Sequence, residues 1–248
     1  MIPYIMANDI IKELKNTYKP RKIIDDKIFV SRVIYRPISF YLTVPFIKMG
    51  FSANGVTWLR LVIALVGIVF LFFGFMISGS SLLFFSALLD YVDGNIARFR
   101  KQNSHFGQLL EDISDTFVES LIPFAVSVGL YGDNLFFLII GAITALAISF
   151  RGVVTYRLQA GILKVEATKN LEEKKVVSRK SYNLANYLIF SLRREKYFML
   201  GGILIFAIAG MMNLFLLIRF FASSCYFLFE CAQTLVQARR TLNIYKQP

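Results

Sequence analysis

Three long apolar runs restrict the fold of this chain more than any other feature. They read LVIALVGIVFLFFGFMI, LFFLIIGAITALAI and FMLGGILIFAIAGMMNLFLLI. A helix needs ~20 mostly apolar residues to cross the hydrocarbon core of a bilayer, and each run approaches that length. Backbone polar groups find no water in hydrocarbon, so only helices and closed barrels cross it. No alternation of period two points to a barrel. Composition agrees, with 56% hydrophobic and only 18% charged residues among 248, against about 25% charged in soluble domains. Mean hydropathy is +0.57. The first run begins after residue 60, which excludes reading it as a cleaved signal peptide.

The expected fold is an all-α integral membrane protein with six transmembrane helices and an N-terminal interfacial amphipathic segment. The spans are expected near 54–77, 81–99, 107–130, 134–157, 197–217 and 219–241. An interfacial, cytoplasmic arm over 1–52, a catalytic helical domain over 53–243 and a cytoplasmic tail over 244–248 follow. The arm mixes apolar and basic residues, as in KIIDDKIFVSRVIYRPISFYLTVPFIKMGF. Such a stretch suits an interfacial helix on anionic lipid, or a simple basic anchor. Pro37 and Pro45 limit the length of any one helix there.

The net charge of +12 would suggest nucleic acid for a soluble chain. Here no aromatic–basic single-strand motif supports that partner, and the excess instead sets orientation, because Lys and Arg stay cytoplasmic. The arm, the loop after the fourth span and the C-terminus are rich in both, whereas the turns near Ser78–Ser81 and Tyr131–Asn134 have none. Both termini and the active site are therefore expected on the cytoplasmic side. Arg219 breaks the pattern and is expected at an outer turn, snorkelling to headgroups. Cys225 and Cys231 are six residues apart on different helix faces and read as packing residues.

The second and third spans are the least apolar, and they carry LLDYVDGNIARFRKQNSHFGQLLEDISDTF. Carboxylates are costly at membrane depth and mark functional sites there. Asp90 and Asp93 are three apart and share a helix face, with Gly94 and Ala97 beside them. Arg98 follows, where a guanidinium can reach phosphate oxygens. Gly107, Glu111 and Asp115 stand at spacings of four and share the face of the next helix; Asp112 points about 100° away. Two helices would then present Asp90, Asp93, Glu111 and Asp115 to one another. One or two divalent cations would relieve the repulsion, and oxygen donors suit Mg2+ or Mn2+. A two-metal arrangement is one that clamps phosphoryl groups in displacement reactions. The bland alternative is buried ion pairing, for which Arg98, Arg60 and Arg151 look too few. A proton or cation pathway is another alternative, although the acids cluster at one membrane face instead of stepping across.

The run Asp90-x2-Asp93-Gly94-x2-Ala97-Arg98-x8-Gly107-x3-Glu111-x3-Asp115 resembles the signature of the CDP-alcohol phosphotransferases, D-x2-D-G-x2-A-R-x8-G-x3-D-x3-D. Seven of its eight defining positions match with spacing intact. The approach to the first span, SANGVTWLR, is similar to the family's T-P-N-x-x-T at Asn54 and Thr57, with Ala53 in place of proline. Glu111 stands where the family has a third aspartate and adds one methylene.

The resemblance implies transfer of a substituted phosphate from a CDP-linked donor to an alcohol acceptor, with release of CMP. It implies two divalent ions on Asp90, Asp93, Glu111 and Asp115, and Asp115 as general base. Asn54, Thr57, Gly94, Ala97, Arg98 and Gly107 would accommodate the nucleotide. Arg151, Arg193 and Arg194 would bind the acceptor's polar group, although positive-inside anchoring explains them as well. A homodimer is expected on the same ground. The leading donor is CDP-diacylglycerol; the rival is a soluble CDP-alcohol, because YRPISFYLTVPFIKMGFSANGVT resembles the lead-in of members with soluble donors. Outside this class stand an ion- or proton-coupled transporter and a degenerate member that binds nucleotide without turnover. Glu119 is read as lining the cavity or pairing with another helix, His105 as solvated, and Glu230, Gln233 and Gln237 as an interhelical polar stripe.

Overall fold

The structure, a computed structural model, describes residues 7–18, 31–101, 105–131, 134–169 and 195–244. Among the described residues it is helical throughout, with no strand. The helices are α1 (Ala7–Tyr18), α2 (Arg36–Lys48), α3 (Ala53–Phe72), α4 (Met76–Phe99), α5 (His105–Gly129), α6 (Leu135–Lys169), α7 (Glu195–Ile208) and α8 (Met212–Ile244). A π-helical turn, Ser31–Tyr35, leads into α2. Pro37 sits in the first turn of α2, where its missing N–H costs nothing, and the helix runs on through Pro45.

Helix α3 is central, packed on α4 and α5; α6 lies against α5 and α8, and α7 against α4. Its start is set locally, since the Ser52 side chain accepts from the Gly55 N–H at 3.1 Å as an N-cap. Its core face carries Ala64, Ile68 and Leu71, which meet Leu83 of α4, Val126 of α5, Ile203 of α7 and Phe215 of α8. Close approach of α3 to α4 depends on Gly67 and Gly79: a Cβ on Gly79 would stand 2.7 Å from the Gly67 carbonyl oxygen. A second cluster joins the arm to the bundle. Ile10 and Leu14 of α1 and Phe40, Val44 and Ile47 of α2 pack with Leu89, Val92 and Ile96 of α4.

Two helical stretches, Ala53–Phe72 and Met212–Ala232, are long and apolar enough to cross a membrane, and Leu135–Arg151 is a shorter apolar helix. Several boundaries differ from expectation: α4 begins at Met76 instead of 81, α6 runs to Lys169 instead of 157, and two further differences have a visible cause. Gly74, at φ +83°, ends α3 near residue 72 instead of 77. Gly210, at φ +69°, ends α7 at Ile208, so the last turn lies at 209–211 and not near 218. The unbroken apolar run across Gly210 hid this stop.

That shift corrects the reading of Arg219. It lies on α8 only 4% exposed, not at an outer turn. Its Nη2 is 3.7 Å from Glu119 Oε2, which Arg151 Nη2 also approaches at 3.0 Å. Arg151 stacks over the Tyr226 ring at 4.9 Å, and Tyr226 donates to Glu230 at 2.8 Å. Glu119, Arg151 and Arg219 thus tie α5, α6 and α8 together with charge. Glu230 is buried and bonded within its own helix, so that contact is not interhelical. Cys225 is exposed and Cys231 half-buried, so Cys225 is not a core packing residue.

Candidate active site

The acidic cluster forms where α3, α4 and α5 meet. From α4 come Asp90 and Asp93, both buried; from α5 come Glu111 and Asp115, both half-buried. Carboxylate oxygens of Asp90, Glu111 and Asp115 lie within 4.8 Å of one another. That separation is about twice a metal–oxygen bond of ~2.0–2.6 Å, so one hard cation could contact all three. Glu111 reaches the cluster despite its extra methylene. The donor set therefore fits a divalent cation of the Mg2+ or Mn2+ type in geometry and in chemistry. Asp112 is exposed and takes no part.

Asp93 stands slightly apart. Its Oδ2 accepts from Thr57 Oγ1 at 2.8 Å, and Thr57 is itself buried. Thr57, expected against nucleotide, also bonds an acidic side chain. Asn54 is half-buried in the first turn of α3.

Arg60, expected only as one of a few arginines available for ion pairing, stands at the centre of the cluster. It lies one helical turn beyond Thr57 and is 7% exposed. Its Nη1 is 2.7 Å from both Asp90 Oδ1 and Asp115 Oδ1, and its Nε is 3.9 Å from Asp93 Oδ2. Nη2 donates to Ser114 Oγ at 2.9 Å. A single guanidinium thus bridges α3, α4 and α5, and it supplies positive charge among the carboxylates. The expectation that arginines were too few to pair with the acids is corrected here: one arginine reaches three of them. The available signal was its spacing, since Arg60 is three residues after Thr57 and on the same helix face. Beneath the carboxylates lies a cavity of about 20 Å³, lined by Arg60, Ser86, Asp90, Ser114, Asp115 and Glu119 among others. It can admit one water-sized group. Glu119 therefore both lines the cavity and pairs with Arg151.

On the arm side, the Arg98 guanidinium lies over Gly94. A Cβ on Gly94 would stand 3.3 Å from both of its Nη atoms. Ala97 and Gly107 are half-buried on the two motif helices. Of the residues expected at the acceptor, Arg151 is held by Glu119; Arg193 and Arg194 lie outside the described residues, as does most of the basic loop before α7.

The family model for CDP-alcohol phosphatidyltransferase matches residues 51–218, which hold the whole acidic constellation. No curated protein matches the sequence significantly. Among solved structures, the chain is similar to the crystal structure of Mycobacterium tuberculosis phosphatidylinositol phosphate synthase with CDP-DAG bound. The TM-score is 0.57 at 15% identity, covering 81% of this chain and 93% of that one. At that identity the likeness is one of fold.

Proposed function

The chain belongs to the CDP-alcohol phosphatidyltransferase family, and from that premise we propose that it joins CDP-diacylglycerol to a water-soluble alcohol. It is a phosphotransferase enzyme, and its family supports a place in phospholipid synthesis. The observation that carries the reading is the convergence of Asp90, Glu111 and Asp115 oxygens within 4.8 Å. The bound CDP-DAG in the similar solved structure supports this donor.

In the proposed reaction the acceptor's hydroxyl oxygen forms a bond to the donor phosphorus that bears the lipid. The bond from that phosphorus to the CMP oxygen breaks, and CMP leaves. Asp115 takes the hydroxyl proton as the new bond forms, a contribution of roughly 10²–10⁴-fold for a well-placed base. Asp90, Asp93, Glu111 and Asp115 would hold two divalent ions, which when bound would neutralise charge on the donor pyrophosphate. Thr57 fixes Asp93, and Arg60 fixes the relative placement of Asp90 and Asp115. Arg98, Gly94, Ala97, Gly107, Asn54 and Thr57 accommodate the nucleotide. Arg151, Arg193 and Arg194 receive the acceptor.

The reading places six helices across the membrane, with the site and both termini cytoplasmic, a basic arm at the surface and a homodimer as the working unit. Support comes from the distribution of Lys and Arg. Exposed apolar side chains such as Phe73, Phe136 and Phe221 also support it, since water-facing patches of that kind are uncommon. Transfer from a soluble CDP-alcohol to a lipid or inositol-type acceptor is the second reading, favoured by the sequence of α2 and its approach to α3.

The test is CMP release by detergent-purified protein with Mn2+ or Mg2+, offering CDP-diacylglycerol and soluble CDP-alcohols separately against a panel of alcohols. Metal-dependent release with CDP-diacylglycerol alone supports the first reading. Release with a soluble donor alone replaces it with the second. Metal-dependent CDP binding without release from any donor points to a degenerate site, and Glu111→Asp then tests whether turnover returns.

A further inference from the structure

Asn95 occupies a variable position inside the acidic motif, between Gly94 and Ala97. It is 1% exposed, and its amide has two donor and two acceptor capacities. All four are used. Oδ1 accepts from Arg98 Nη2 at 2.8 Å and from Arg36 Nη1 at 3.5 Å. Nδ2 donates to Ser39 Oγ at 3.2 Å and to Thr43 Oγ1 at 3.1 Å. The two hydroxyls spend their own protons on backbone carbonyls, Ser39 on Arg36 O at 2.9 Å and Thr43 on Ser39 O at 2.6 Å. Both hydroxyl oxygens therefore face Asn95 as acceptors. This decides the amide's orientation: a flipped amide would aim N–H donors at two guanidiniums.

The partners of Asn95 on α2 are themselves held. Ser39 and Thr43 are fully buried. The Arg36 guanidinium lies 4.5 Å from the Tyr18 ring centroid and 4.7 Å from that of Tyr91. A continuous set of contacts thus runs from the arm, through Asn95, to Arg98.

We infer that Asn95 is a positioning residue that orients the Arg98 guanidinium toward the donor's nucleotide, with Ser39 and Thr43 of α2 as its anchor. The inference rests on the reading of Arg98 as a nucleotide contact. A free arginine side chain loses rotamer entropy when it grips a ligand. A guanidinium held by the Asn95 amide has its other N–H groups oriented by the rigid plane of the group. The arm, which lies outside the catalytic motif, thereby sets nucleotide affinity.

The experiment uses full-length protein in detergent and measures CDP binding by calorimetry with Mn2+ present. Mn2+ affinity without nucleotide is measured in parallel by electron paramagnetic resonance. Arg98→Gln is expected to weaken CDP binding about tenfold, the worth of one charge-assisted hydrogen bond. Asn95→Leu and the double variant Ser39→Ala/Thr43→Val are expected to weaken it several-fold, with Mn2+ affinity unchanged. Adding Asn95→Leu to Arg98→Gln is expected to cause no further loss, because the two act as one unit.

Equal losses from Asn95→Leu in the presence and absence of Arg98 would overturn the inference, as would parallel losses of CDP and Mn2+ binding. An unchanged CDP affinity in Ser39→Ala/Thr43→Val, with Arg98→Gln impaired, would overturn it while sparing the nucleotide role of Arg98. Unchanged binding in Arg98→Gln would remove that role and the inference together. If Asn95→Leu fails to fold, the α2 double variant decides the question.

Discussion

Replacing Arg60 by methionine removes the guanidinium that bridges Asp90 and Asp115 while keeping a similar side-chain volume. Each of those pairs is 2.7 Å long. At an effective dielectric of ~20, each carries roughly 6 kcal/mol of gross attraction. Desolvation of the charges offsets much of that, and removing one partner of a buried pair typically costs about 3–5 kcal/mol net. For a chain of this size that corresponds to a fall in melting temperature of roughly 6–20 °C. The sign of the metal effect is the sharper part of the prediction. In the wild-type protein a divalent ion would compete with Arg60 for Asp90 and Asp115; in Arg60→Met it would not, and it would relieve carboxylate repulsion directly. Ion at a hundred times its dissociation constant contributes about 2.7 kcal/mol. Melting curves in detergent, with EDTA and then with Mn2+, should therefore show a gap between variant and wild type that narrows on adding metal. A gap that stays constant or widens would refute the view that Arg60 and the metal share the same carboxylates.

Asp115→Asn should leave the protein folded by gel filtration and lower CMP release by roughly 10²–10⁴-fold; near-normal turnover would remove Asp115 as base. Thr57→Val deletes the 2.8 Å bond to Asp93 without changing shape and should destabilise by about 1.5–3 kcal/mol, read as a lower melting temperature. Glu119→Gln should destabilise by about 3–5 kcal/mol because it removes the carboxylate that buried Arg219 and Arg151 share. Removing the charges together, in Glu119→Leu/Arg151→Met/Arg219→Met, should recover part of that loss. A triple variant no more stable than Glu119→Gln would argue that this network does more than neutralise buried charge.

Much of the site was readable from local spacing. Residues three and four apart on a helix share a face whatever surrounds them, so Asp90 with Asp93, and Glu111 with Asp115, follow from sequence once the segments are helical. Long apolar runs likewise required helices or a barrel, because unsatisfied backbone is too costly in hydrocarbon. Gly210 was legible in principle, but a turn between two apolar helices leaves no break in hydropathy, so the boundary was set too late and Arg219 was put at the first residue of its helix instead of about two turns inside it.

Partners across helices carry no such local signal. Arg60 reaches Asp115 from 55 positions away, and Arg219 reaches Glu119 from 100 positions away. A charge inside an apolar run demands compensation, but its sequence neighbours do not say from which helix the compensation comes. Asn95 makes the same point: its motif position leaves the residue type open, and beyond Arg98 of its own helix only the packing of α2 against α4 gives its amide a second donor and two acceptors to meet. Sequence periodicity determines which side chains point together from one helix, because backbone geometry repeats. Only the close packing of α2, α3, α4 and α5 decides which of those faces become an acidic cluster, which become its support, and which arginine stands between them.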